Sequence, residues 1–151
     1  MSHFRTTPEG IEVELSAEER MFLGDVLPLL AEVGVSEGDP AAARLRVPVY
    51  LDDPESSEEW WRLMGQDLEA GRQADRATFQ RAVSSETPLL LSRDEADAVL
   101  RVLNEARLAL GARLGIDVES DHDELPAESR QVMDYLGWIQ EELTVELLRS
   151  I

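Results

Sequence analysis

LRVLNEARLALGARLGI, residues 100–116, decides the fold. Apolar residues recur at three- and four-residue spacing, the period of a helix with one buried stripe. Followed back to Ser92, the stripe collects Ala96, Val99, Leu100, Leu103, Ala106, Leu110 and Leu114. Ser92 and Glu95 form a capping box before it, and Gly115 supplies a stop, which predicts a helix over about 93–114. Arg107 falls inside the apolar arc, with Asn104 and Gly111 at one edge and Arg113 just beyond the other. A buried guanidinium costs several kcal/mol unless it is paired, so it needs a partner from another helix.

Residues 57–83 offer one. Ser56 and Glu59 read as a capping box, and Trp60, Trp61, Met64, Leu68, Gly71, Thr78 and Ala82 share a face with Asp75 in its middle. The expectation is an Asp75–Arg107 pair between the two long helices, assisted by Asn104, with room provided by the small residues around Asp75. Glu142 and Glu146 of the last helix are the competing partners. Such a pair can simply fix helix register, or it can line a polar pocket for a small anion.

The remaining segments build outward from this helix pair. Ile11, Val13 and Leu15 alternate with Glu12 and Glu14, and Pro8, Glu9 and Gly10 supply a turn, which predicts a hairpin over 3–15. A capping box at Ser16 and Glu19 opens a helix over about 17–33, where Pro28 predicts a kink or break and Gly34 an end. Asp39 and Pro40 start a short helix, 40–45, followed by an extended connector, VPVYLDDPESS. PLLL, residues 88–91, reads as a short strand beside the hairpin, and DVESDHDELP as an acidic loop. The last helix, about 127–149, places Val132, Tyr135, Leu136, Ile139 and Leu143 on one face. The expected fold is mainly α: a single domain over 1–151, a helical bundle with a small N-terminal antiparallel β-hairpin.

Composition narrows the function. Of 151 residues 32 are acidic and 14 basic, all of the latter Arg, for a net charge of −18. A body this acidic repels phosphate backbones and anionic lipid heads, so neither direct nucleic-acid binding nor a membrane role is expected. Arg without Lys suits GC-rich bacterial coding. With no Cys there is no disulfide, thiolate nucleophile or cysteine zinc site. His3 and His122 lie in no catalytic spacing, so no enzyme, metal or cofactor is expected. A calcium loop counted from Asp117 fails where it needs Gly and has His122, and where it needs an apolar residue and has Glu124. The N-terminus, MSHFRTTPEG, lacks a signal-peptide core, which points to the cytoplasm. Arg72, Arg76 and Arg81 are placed on the outer side of their helix as partners for nearby acids. Arg113 and Trp61 are candidate partner-binding residues, the Trp60–Trp61 pair alternatively packing under VPVYLDDP.

RVPVYLDDPESSEEWWRLM (46–64), LNEARLALGARLGI (103–116) and YLGWIQEEL (135–143) occur in that order across nearly the whole chain. Together they resemble an actinobacterial domain-of-unknown-function family whose members include the oxidative-stress transcription regulator AosR. The resemblance implies a small non-enzymatic regulator acting through a protein partner, such as a sigma factor or RNA polymerase component. Within its motif Asn104, Arg107, Gly111, Arg113 and Gly115 are the structural or binding candidates. Cysteine-based redox sensing does not carry over, because no Cys is present; Met21, Met64 and Met133 are the sulfur atoms that could take an oxidant. A homodimer through an apolar helix face is compatible with this function.

Overall fold

The computed structural model describes residues 3–45, 52–116 and 119–151. Strands β1 (Phe4–Thr7) and β2 (Gly10–Val13) form the hairpin, and β3 (Leu89–Leu91) pairs with β2 to complete a three-stranded antiparallel sheet in the order β1-β2-β3. The register sets Phe4 opposite Val13 and Ile11 opposite Leu91, and all four side chains are buried on one face. Gly10 has a φ of +152°, and a Cβ there would drive into the Leu91 carbonyl oxygen. The turn therefore admits only glycine where β2 meets β3.

Helix α1 (Ala17–Gly24) starts at the Ser16 capping box: Glu19 N–H donates to Ser16 Oγ at 3.1 Å, and Ser16 N–H to Glu19 Oε1 at 3.2 Å. The single helix expected over 17–33 is two helices, with α2 at Val26–Ala31 and the break at Asp25. Pro28 is the cause, acting one turn upstream. It has no N–H for the Gly24 carbonyl, and its ring crowds that same carbonyl. Pro28 itself is comfortable in the first turn of α2.

Helix α3 (Pro40–Leu45) opens at Asp39, whose carboxylate accepts the Ala41 and Gly34 N–H groups at 3.0 Å each. Helix α4 spans Pro54–Ser84, three residues earlier than the Ser56 box predicted. Its cap is Asp53, accepting Ser56 N–H at 3.1 Å and Ser56 Oγ–H at 2.6 Å, with Pro54 as the first helical residue. Glu59 turns instead to Arg62. Asp followed by Pro outcompetes Ser because proline's fixed φ already suits the first helical position.

Helix α5 (Arg93–Arg113) keeps its capping box, with Glu95 N–H donating to Ser92 Oγ at 3.1 Å and Ser92 N–H to Glu95 Oε1 at 2.9 Å. It ends in a Schellman turn: Gly115 adopts φ +79°, Ile116 N–H bonds the Gly111 carbonyl at 2.9 Å and Gly115 N–H the Ala112 carbonyl at 3.1 Å. Helix α6 (Glu119–Asp123) is one short turn inside the segment expected as a loop, and α7 (Ala127–Arg149) closes the chain.

The core is one continuous cluster through sheet and helices. Helix α5 runs through its middle, touching α2, α3, α4, α7, β2 and β3. That central position corrects the single-stripe expectation for α5. Ala98, Val102 and Ala109 are also buried, against a second neighbour, while Leu100, Leu110 and Leu114 are only partly so. A helix packed on several sides buries small residues outside its main stripe, and one-face periodicity does not reveal them.

Candidate functional site

The expected Asp75–Arg107 pair is not formed. Asp75 is held by Arg101, whose Nε and Nη2 each donate to a carboxylate oxygen at 2.8 Å. Arg72 and Arg76 both reach Glu105, at 3.9 and 3.3 Å, and Arg81 pairs with Glu95. These arginines therefore lie in the α4–α5 seam and not on the outer side of α4. The reason is side-chain length: Arg101 anchors at the solvent edge and bends inward, so its charge is never stranded. Burying both charges of an Asp75–Arg107 pair would cost more solvation than attraction returns.

Arg107 faces α7 instead. Its Nη1 donates to Gln140 Oε1 at 2.8 Å, and Gln140 Nε2 in turn donates to Asn104 Oδ1 at 3.4 Å. Arg107 Nε is buried and has no hydrogen-bond partner. The guanidinium lies over Gly137, where a Cβ would sit 3.5 Å from Nη2. One side of this group opens on a cleft of about 210 Å³ between α3, α5 and α7, lined by Arg44, Asn104, Arg107 and Gly111 together with apolar Ile116 and Met133. Of the three residues expected to cluster, Arg107 and Asn104 share this cleft, and Asp75 lies apart from it. Arg44 joins them, which the sequence did not indicate because α3 and α5 are about sixty residues apart in the chain.

Arg113, a candidate for partner contact, is occupied within the fold. Its Nε and Nη2 meet the Asp39 carboxylate at 3.3 and 3.0 Å. Asp39 is thereby held well below the usual carboxylate range, first by the Arg113 hydrogen bond and then by the Gly34 N–H. The same bond raises Arg113. This links the end of α5 to the start of α3.

Trp61 is half-buried and meets Trp60 edge-to-face, with ring centroids 5.1 Å apart. The VPVYL part of the connector expected over this pair lies outside the described residues. Of the apolar face expected on α4 only Ala82 is buried, and burial is confined mainly to one end. Phe79, Ala82 and Val83 are buried near the C-terminus, and Ser57 alone toward the N-terminus. Met64 and Leu68 remain 41% and 37% exposed. This half of α4 carries Glu55, Glu58, Glu59, Asp67 and Glu69 against Arg62, so the apolar stripe lies on an acidic segment.

The sequence also gave no warning of His3. Its Nε2 lies 2.5 Å from Glu19 Oε2 and its Nδ1 3.0 Å from Glu142 Oε2, while Trp138 packs edge-on at 5.0 Å. Tyr135 O–H donates to the same Glu19 oxygen at 2.9 Å. Burial opposes ionisation of Glu19, but hydrogen bonds from Ser16 and Tyr135, with the His3 charge, leave it below its ordinary value. Burial, then the Glu19 contact, pushes the Tyr135 phenol above its own. Glu146 accepts Thr6 Oγ1–H at 2.7 Å and Arg149 Nη1–H at 3.0 Å. Glu142 and Glu146, the expected rivals for Arg107, thus bind strand β1 to α7. Only the tertiary fold brings residues 3, 19 and 142 together, so no local spacing could signal the cluster.

His122 Nε2 lies 2.7 Å from Asp134. Among the described residues no group of three His, Asp or Glu could hold a metal ion, and no helix is long and apolar enough to cross a membrane.

Fold and site together define a mainly α protein, a helical bundle capped by a small antiparallel sheet, with an arginine-lined cleft and an apolar stripe on an acidic helix segment. Residues 1–147 match the model of the Domain of unknown function (DUF2017) family, and the chain belongs to that family. Searches of curated proteins and of solved structures found no match.

Proposed function

We propose that this chain is a non-enzymatic cytoplasmic regulatory protein that acts through a protein partner, as its resemblance to AosR suggests. The partner is a sigma factor or another RNA polymerase component. The observation that carries this reading is the first half of α4, where Met64 and Leu68 stay exposed on the face that elsewhere enters the core. Apolar side chains on a segment that carries Glu58, Glu59, Asp67 and Glu69 against Arg62 suit a basic amphipathic segment. A second copy of the same acidic segment would be repelled, which favours a hetero-partner over a homodimer. Any signal it senses is not a thiol switch, since the chain has no Cys.

The test is pairwise binding of the purified chain to the sigma factors and core polymerase of an actinobacterium. Wild type would be compared with a Met64→Asp, Leu68→Asp variant. Both residues are more than half covered, so circular dichroism is used to verify that the variant is folded before its binding is read. One factor bound at micromolar or tighter affinity, and weakened about tenfold in the folded variant, is the expected result. Absence of binding to every factor by wild type would sink the sigma-factor reading. Sedimentation of the chain alone would reveal a dimer if the stripe pairs with itself.

A further inference from the structure

We infer that the cleft between the end of α3, the last turns of α5 and α7 binds a small organic oxyanion, a metabolite-sized phosphate or carboxylate. This site is separate from the α4 face and does not depend on the partner reading. Its basis is an imbalance of charge. The chain has 32 acids for 14 arginines, and Arg5, Arg62, Arg72, Arg76, Arg81, Arg101, Arg113 and Arg149 each have a carboxylate partner. Among the described residues Arg20, Arg44, Arg93, Arg107 and Arg130 form no ion pair, and of these Arg44 and Arg107 line one cleft together. Arg107 has a single hydrogen bond, to the neutral Gln140 amide oxygen, and a buried Nε without an acceptor.

A guanidinium has five N–H donors in a fixed fork that matches an oxyanion. Its arrangement here is prepared before any ligand arrives. Gln140 fixes Nη1, and the group lies against Gly137 of α7. Asn104 adds an amide at the rim, while Ile116 and Met133 give an apolar wall. The size of the cleft selects the ligand class. About 210 Å³ is below the roughly 300–1,000 Å³ of pockets for drug-sized molecules, which suits a short anion. The net charge of −18 opposes anion capture at long range. At physiological salt that field is screened beyond about 8 Å, whereas two guanidiniums in the cleft act within contact distance.

The experiment is an NMR titration of the full chain with sodium phosphate and, separately, sodium butyrate, at constant ionic strength with sodium chloride as the control. Saturable shifts confined to residues 104–116, the Met133 methyl and α3 are expected from at least one anion. Their apparent Kd should weaken about tenfold or more in Arg44→Gln and in Arg107→Gln. Saturation by phosphate alone would assign a phosphate ligand, and saturation by butyrate alone a carboxylate. Shifts that match the chloride control, or that persist unchanged in the variants, would overturn the proposal. Should Arg107→Gln fail to fold, Arg44→Gln decides the matter, because that residue is exposed.

Discussion

Asp39 shows how much one side chain can organise: it caps α3, accepts the Gly34 N–H and holds Arg113. Its pKa is depressed in the folded state, so its ionic contribution is complete above the unfolded value of about 4 and is lost as pH falls towards the lower folded value. Asn keeps the cap but not the charge. Urea midpoints should therefore show Asp39→Asn less stable than wild type at pH 7, with the gap closing as pH falls from about 4 to 2. A gap that stays constant with pH would show that the charge contributes nothing. Glycines give a second residue-scale contrast. Gly115→Ala forces a Cβ into a φ of +79° and should cost roughly 1 kcal/mol, whereas Gly71→Ala, inside α4 with nothing within 4 Å of the new methyl, should add about 0.5–1 kcal/mol. Thermal melts of the two variants should shift in opposite directions. Both glycines were legible as residues, but only the fold separates a required one from a tolerated one.

Element boundaries followed local chemistry wherever that chemistry was unopposed. The Ser16 and Ser92 boxes start α1 and α5 as their spacing predicts. Ser92→Ala should cost about 1 kcal/mol, read from the denaturant midpoint at unchanged slope. The Ser56 box yielded to Asp53–Pro54, a signal equally present in the sequence but stronger, because proline's φ is already helical. Pro28 was legible as a break, yet the break fell at Asp25, because a proline disrupts the turn before it. The strand at 89–91 was readable as a short apolar run, and its pairing with β2 rests on the Gly10 turn, which brings the β2 backbone against Leu91.

At the scale of the whole molecule, Phe79 is the largest side chain sealed in the core, and Phe79→Ala should cost about 3–5 kcal/mol. Met64→Ala on the same helix should cost much less, since that residue is only partly covered. Equilibrium unfolding of the two variants would test whether α4 is anchored chiefly by its C-terminal half. The sequence by itself determined the mainly α class, most helix starts and the acidic character, because these depend on spacing within a turn or two and on composition. It also singled out Arg107 as out of place on an apolar stripe. Tertiary structure alone decided that Arg101 takes Asp75, that Arg113 is absorbed by Asp39, that His3 sits between Glu19 and Glu142, and that Arg44 meets Arg107 at a cleft. The physical reason is reach. A helical repeat assigns a side chain to a face, but long charged side chains choose among partners on several elements, and that choice depends on how those elements pack and which charges can remain in water.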